Sequence, residues 1–276
     1  MSITIKDIKQ AKNKKKISML TAYSYPLAKI IDAAGIDIIL VGDSLANVVL
    51  GLDSTKEVTM SDMLRHTQAV TRAVEQALVI GDMPYEAYQE DIKVCVDNAK
   101  KFITAGCAAV KVEWFDDCIE VVKLLRKENI EVMAHIGLTP QTVEKLGGFK
   151  AQGKDIETAK KLINQAVLLE KEGCFAIVLE CIPDRVAKLI TEKISIPTIG
   201  IGSGSFCDGQ VLVTHDMLGL FDRYTPKFVK KYADLSSEIL KAVTDFKDEV
   251  SGGVYPDKEH SFSISDEEFE KLKQEI

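Results

Sequence analysis

The stretch Ile36–Ser44, IDIILVGDS, limits the possible folds more than any other. Ile36–Leu40 is mostly apolar and β-branched, and Val41 and Gly42 then lead into Asp43 and Ser44. A short apolar run closed by glycine reads as a strand covered on both faces, the setting of a parallel sheet. A carboxylate and a hydroxyl stand where that strand ends. In parallel α/β sheets, ligands bind beyond the carboxyl ends of the strands. What matters next is whether the other strands end in polar groups too.

The chain alternates short apolar runs with segments of helical spacing. Residues 1–16 read as a short polar helix with Ile5 and Ile8 on its apolar face. Ile17–Thr21 is a first strand, followed by a helix with Ser24 as N-cap, Pro26 in its first turn and Gly35 closing it. After Ile36–Gly42 comes a loop over 45–60, then a helix capped by Ser61. Further strands are expected at Leu78–Asp82, Ala108–Trp114, Ile130–Gly137, Phe175–Cys181, Pro197–Gly202 and Gln210–Val213. Helices are expected over about 90–105, Asp116–Glu128, Ile156–Glu172, Pro183–Lys193 and 226–250. Eight strands alternating with helices fit a (β/α)8 TIM barrel or a doubly wound open sheet. Strands two to six all end in polar or charged groups; a closed ring gathers those ends, whereas an open sheet scatters them. The expected architecture is a single-domain barrel over 1–262. An N-terminal helix precedes the strands and a polar C-terminal extension, 263–276, contains a terminal helix capped at Ser265.

Composition narrows the function class. With 46% hydrophobic residues, 276 residues suffice for one large core. A net charge of −7 disfavours a nucleic-acid partner, and the lysines of Asn13–Lys16 read as a solvated helix end. Cysteines 95, 107, 118, 174, 181 and 207 form no CxxC pair and several lie in apolar segments, as reduced thiols do. No apolar run is long enough to span a bilayer and no secretory leader is apparent, so a cytoplasmic protein with no membrane partner is expected.

Asp43 and Asp82 each follow a glycine at a strand end (VGDS, IGDM). Two carboxylates at neighbouring ends suit a hard divalent cation whose remaining positions are filled by substrate oxygens. Lys111 and Glu113 lie two apart on the fourth strand and therefore share a face. The glutamate is placed to join the metal and the lysine to neutralise a substrate carboxylate; the alternative is a structural ion pair inside the barrel. His135 closes the fifth strand as a candidate substrate hydrogen-bond donor. Glu180 closes the sixth (IVLEC) in apolar surroundings, which makes it the candidate general base. The glycine-rich GIGSG of 200–204 is a weak anion-site signal, and His215 and Asp216 are expected near the mouth without an assigned role. Together these groups suggest metal-assisted enolisation of a 2-oxo acid followed by attack on an electrophile.

Several long stretches resemble the ketopantoate hydroxymethyltransferase family: TAYSYPLAK, LVGDSLANVVLGLDST, GDMPY, AAVKVE, AHIGLTPQTVEKLGGFKAQGK, VLECIP, IPTIGIGSG, CDGQVLVTHDMLG and GVYPDKEHSF. They run from Thr21 to Phe262. The resemblance implies a (β/α)8 barrel that makes ketopantoate from α-ketoisovalerate and 5,10-methylenetetrahydrofolate, on the route to pantothenate and coenzyme A. It implies Mg²⁺ at Asp43 and Asp82 with Glu113 as the acidic neighbour. It also implies substrate contacts from Asp43, Ser44, Asp82 and Lys111, with His135 at the mouth, Glu180 as proton acceptor, and a homo-oligomer, commonly a decamer. Two departures stand out. Ser203 replaces the alanine usual in the loop after the seventh strand, adding a hydroxyl near the mouth, and the tail after Phe262 extends beyond the pattern.

Two rival readings remain. A phosphoenolpyruvate mutase or isocitrate lyase type of barrel also binds Mg²⁺ and 2-oxo acids, but it often carries a cysteine in the loop after the fifth strand, and LTPQTVEKLGGFKAQGK has none. A non-catalytic sensor or scaffold barrel would be favoured by loss of Asp43, Asp82 or Glu180, all of which are present.

Overall fold

Eight parallel strands close on themselves in chain order in the computed structural model, which describes residues 2–148 and 150–276. They are β1 (Ile17–Thr21), β2 (Ile38–Val41), β3 (Leu78–Asp82), β4 (Ala109–Glu113), β5 (Val132–Gly137), β6 (Ala176–Glu180), β7 (Thr198–Ile201) and β8 (Gly209–Leu212). The helices are α1 (Ile5–Ala11), α2 (Tyr25–Ala33), α3 (Leu45–Val48), α4 (Met60–Thr71), α5 (Cys95–Thr104), α6 (Cys118–Lys127), α7 (Ile156–Lys171), α8 (Asp184–Lys193), α9 (Thr214–Met217), α10 (Leu235–Ser251) and α11 (Asp266–Glu275). The closed ring is the (β/α)8 architecture expected from the alternation, and β1 pairs with β8 to complete it.

Strand parity sorts the core into two layers. Ile38 and Leu40, Leu78 and Ile80, Ala109, Met133, and Ala176 and Val178 pack within the barrel interior. Their neighbours Ile39, Val41, Val79, Val110, Val112, Val132, Ala134, Ile177 and Leu179 pack with the surrounding helices. Continuing the inward set by two residues puts Asp82, Lys111, Glu113, His135 and Glu180 on the barrel side at the strands' carboxyl ends. One alternation therefore builds both the core and the site.

The lysines of Asn13–Lys16 are exposed, as a solvated helix end is, but Lys15 and Lys16, together with Lys12, also make specific contacts. Lys12 Nζ lies 2.8 Å from Asp208, Lys15 Nζ 2.6 Å from Asp37, and Lys16 Nζ donates to the Cys207 carbonyl. They tie the N-terminal segment to the amino-terminal end of the barrel, where Ile8 joins the interior core. Helix α4 starts earlier than expected: Thr59, not Ser61, is the N-cap, in a reciprocal capping box with Asp62. The loop expected over 45–60 contains α3 and a 3₁₀ turn, Thr55–Glu57.

The alternation fails twice. No helix lies between β7 and β8, which are joined by residues 202–208. Seven extended residues reach up to about 23 Å, enough to run back along a four-residue strand. After β8 and α9 the chain leaves the barrel, and residues 236–276, including nearly all of α10 and all of α11, are exposed. Ser265 caps α11 as expected, accepting from the Glu268 N–H. All six cysteines are unpaired, five of them buried.

Candidate active site

The inward-facing strand ends form one connected polar cluster. Lys111 Nζ donates to both oxygens of Asp82, at 2.7 and 2.8 Å, and lies 3.6 Å from Glu113 Oε1. Asp43 is offset from Asp82 rather than level with it. Val41 pairs with Gly81, so Asp43 stands one residue further along, and its N–H donates to Asp82 Oδ2 at 3.2 Å. Glu113 Oε1 sits 3.1 Å from His135 Nδ1, while its Oε2 accepts the Gln141 N–H at 3.0 Å. His135 Nε2 lies 3.2 Å from Glu180 Oε2 on the neighbouring strand but outside hydrogen-bond geometry, which leaves a buried ring nitrogen without a partner. Asp43, Asp82, Lys111, Glu113, His135 and Glu180 are thus brought together, and the setting of Glu180 is polar on the His135 side rather than purely apolar.

Charge in this cluster is unbalanced. Burial, reinforced by Asp82 and Glu113, pushes the Asp43 carboxyl well above the usual carboxylate range. Burial also raises Asp82, although Lys111 opposes it. Burial works against ionised Glu113 as well, but Lys111 and His135 outweigh it and hold that carboxyl low. Lys111 is desolvated, yet Asp82, Glu113 and Asp43 keep its ammonium above its ordinary range. His135 is raised to about 9: burial and Lys111 oppose its charging, and Glu113 and Glu180 overcome them. An imidazolium donates from both nitrogens, so Nε2 presents a proton to the mouth.

These groups suit a hard divalent cation. Asp82 and Glu113 are compensated by the Lys111 ammonium and the His135 imidazolium, and Asp43, the least compensated, is the group a cation would relieve. Among the described residues no three His, Cys, Asp or Glu side chains converge as a ready-made metal cluster. Both oxygens of Glu113 and of Asp82 already have partners, as does Asp43 Oδ2, so Asp43 Oδ1 is the one oxygen of these three carboxylates that accepts no hydrogen bond from a described residue.

Sequence reasoning missed the residues that hold this cluster. Gln141 is fully buried in the 3₁₀ turn Pro140–Thr142. Its Nε2 donates to Asp43 Oδ2 and the Met83 carbonyl, both at 2.9 Å, and its Oε1 accepts from Tyr88 Oη at 2.7 Å. Tyr88 Oη in turn accepts the Glu113 N–H at 2.9 Å. Neither residue lies on a strand, so periodicity could not point to them. Tyr23 Oη and Ser44 Oγ are 2.7 Å apart, which places Ser44 at the mouth beside Asp43.

Ser203 does not add a free hydroxyl to the mouth. Its Oγ donates to the Leu179 carbonyl at 2.7 Å and accepts the Ile182 N–H at 3.1 Å. It thereby braces the turn through Cys181, a non-glycine residue at φ +51 directly after Glu180. The glycines of GIGSG are explained by close packing: a Cβ on Gly202 would meet the Phe228 ring at 2.6 Å, and one on Gly204 would meet Asp184 at 2.5 Å.

The model of the family described as ketopantoate hydroxymethyltransferase matches residues 2–258. Two proteins called 3-methyl-2-oxobutanoate hydroxymethyltransferase, from Syntrophomonas wolfei and Enterococcus faecalis, are each 53% identical over 272 residues. Both alignments cover 98% of this chain, and 99% and 98% of those proteins respectively. Among solved structures, phosphoenolpyruvate phosphomutase from Streptomyces platensis superposes with a TM-score of 0.61 at 12% identity, covering 99% of both chains. A 2,3-dimethylmalate lyase superposes with a TM-score of 0.59 at 12% identity, covering all of both chains. At that identity the superpositions speak for the barrel alone. The half-identical, full-length relatives and the family match carry more: the chain belongs to the ketopantoate hydroxymethyltransferase family.

Proposed function

We propose that this enzyme transfers a hydroxymethyl group from 5,10-methylenetetrahydrofolate to 3-methyl-2-oxobutanoate (α-ketoisovalerate), giving ketopantoate for pantothenate and coenzyme A synthesis. The observation that carries this reading is the placement of Glu180 beside a buried, partnerless His135 nitrogen, facing an under-compensated pair of aspartates. Relatives of the same name at 53% identity over nearly their full length support it.

Asp43 and Asp82, with Glu113 adding charge behind them, would hold Mg²⁺, which supplies Lewis-acid polarisation of the 2-oxo acid. Lys111 and Ser44 bind the substrate carboxylate, and Lys111 stays charged because Asp82 holds it at 2.7 Å. His135 offers its Nε2 proton to an oxygen of the bound acid. Glu180 takes the proton from C3, and the electron pair left on the enol(ate) attacks the one-carbon unit. That unit reaches it at the formaldehyde level: water adds to the methylene carbon, its C–N bonds break to release tetrahydrofolate, and the alkoxide formed by C–C bond formation takes up the proton held by Glu180. General-base removal of that proton contributes about 10²- to 10⁴-fold.

The same proposal includes a homo-oligomer, a decamer by family resemblance, supported by the apolar stripe that α10 leaves uncovered. It also includes a cytoplasmic location. In support, no helix among the described residues is long and apolar enough to cross a membrane, and the cysteines are unpaired.

The test is proton NMR of 3-methyl-2-oxobutanoate in D₂O with enzyme and Mg²⁺, followed by addition of methylenetetrahydrofolate. The expected result is C3 deuteration or, once folate is added, ketopantoate, with both lost in Glu180→Gln. Absence of both in the wild-type protein overturns the reading.

A further inference from the structure

Every residue given a catalytic, substrate-binding or metal-binding role so far sits on one arc of the ring. Asp43 follows β2, and Asp82, Lys111 and Glu113, His135, and Glu180 lie on β3, β4, β5 and β6. The remaining arc, β7–β8–β1, carries no assigned chemistry. It nevertheless holds two polar side chains that no described side chain partners. Asp216, in α9 directly after β8, is only 8% exposed, and its carboxylate has no hydrogen bond or ion pair with any described side chain. Burial lifts that carboxyl to about 6, with only Lys231 opposing. Next to it, the Nδ1 of His215 is buried without a partner, and burial holds that imidazole in its neutral form.

Neither residue drifts free of the site. The His215 ring packs against the Tyr23 ring at 5.3 Å between centroids. Thr214, just before it, is locked to β1: its N–H donates to Thr21 Oγ1 at 3.0 Å and its hydroxyl to the Thr21 carbonyl at 2.5 Å. The Tyr23 hydroxyl, bonded to Ser44, feels the charges of both Asp43 and Asp216. The unpaired carboxylate and imidazole therefore share the barrel mouth with the aspartate pair.

His215 Nδ1 is buried without a partner and the Asp216 carboxylate has no side-chain partner, which leaves hydrogen-bonding capacity open at the mouth for a ligand. A carboxylate offers two acceptors side by side, and a neutral imidazole N–H offers one donor. We propose that Asp216 and His215 form the subsite for the ring of the one-carbon donor, recognising a 2-amino-4-oxopyrimidine edge. Asp216 accepts from the 2-amino group and N3–H, and His215 Nδ1 donates to the 4-oxo oxygen. The donor then approaches C3 of the oxo acid from the arc that the oxo acid's own binding groups leave open. This assignment rests on the folate-dependent reading above.

The test compares two fragments at neutral pH by saturation-transfer NMR: pterin, which carries the 2-amino group, and lumazine, which carries an oxo group there. Wild-type protein is expected to bind pterin about tenfold tighter than lumazine. Asp216→Asn is expected to bring the two within about twofold, with 3-methyl-2-oxobutanoate binding by the same method serving as the folding control. If Asp216→Asn fails that control, Asp216→Glu takes its place, and the wild-type preference is a test in its own right. Equal binding of the fragments to wild-type protein, no pterin binding at millimolar concentration, or an undiminished preference in the variant overturns the subsite. Should any of these occur while the enzyme still turns over methylenetetrahydrofolate, the subsite falls and the transferase reading stands. No turnover with any folate removes both.

Discussion

His135 Nε2 lies 3.2 Å from Glu180 Oε2 with no hydrogen bond between them, while the other face of the same ring meets Glu113 at 3.1 Å. The ring is thus fixed from behind and uncommitted in front. That arrangement leaves an oriented proton next to the proposed base.

A pH dependence of stability follows. His135 is raised from 6.5 to about 9, so the folded protein binds this proton more tightly than the unfolded chain does. The resulting stabilisation is complete below about pH 6.5 and disappears as pH rises through about 9. It is worth roughly 3 kcal/mol at most, at about 1.4 kcal/mol per tenfold change in affinity. His135→Gln is therefore expected to lower the denaturant midpoint strongly at pH 6 and only slightly at pH 9.5. Equal losses at both values would contradict a charged His135.

Gln141 makes the second prediction. Removing its amide leaves Asp43 Oδ2, the Met83 carbonyl and Tyr88 Oη each short of a buried partner. At about 1–3 kcal/mol for a buried group left unsatisfied, Gln141→Leu should destabilise the fold measurably in urea. It should also weaken Mg²⁺ binding in calorimetry, because Asp43 loses the bond that sets its rotamer. A variant with wild-type stability and metal affinity would show that Gln141 positions nothing.

How much of this was legible beforehand depends on periodicity. Lys111 and Glu113 could be placed on one face because strands repeat every two residues, and His135 and Glu180 because each closes an apolar run. Gln141 and Tyr88 lie in irregular segments whose side chains are aimed by tertiary contacts, and no local pattern encodes that. The capping error has a similar origin. Ser61 and Thr59 are both good caps, and only the reciprocal bond with Asp62 decides between them.

Gly137 gives a third prediction. It lies at φ +99 at the end of β5, and a Cβ there would come within 2.2 Å of the Glu180 carbonyl. That carbonyl accepts the Leu138 N–H at 2.9 Å, so the two strand ends are in backbone contact. Gly137→Ala should cost at least about 2 kcal/mol from strain and clash and push Glu180 off its position. In folded variant, C3 proton exchange should fall while oxo-acid binding, measured by calorimetry, survives. Unchanged exchange would mean that the Glu180 backbone tolerates displacement.

Helix α10 makes the last prediction. Ile239, Leu240, Val243, Phe246 and Val250 recur at helical spacing and are each 48–68% exposed. Covering such side chains is worth about 1.5–3 kcal/mol apiece when burial is complete. A contiguous exposed stripe of this kind marks an interaction surface, and the proposed homo-oligomer would cover it with a second copy of this chain. Val243→Asp with Phe246→Asp places two charges in the stripe without touching the barrel. Light scattering should show the wild-type protein as an oligomer and the double variant as a smaller species, with the barrel's urea transition retained at high protein concentration. A wild-type monomer, or a variant of unchanged mass, would remove α10 from the interface.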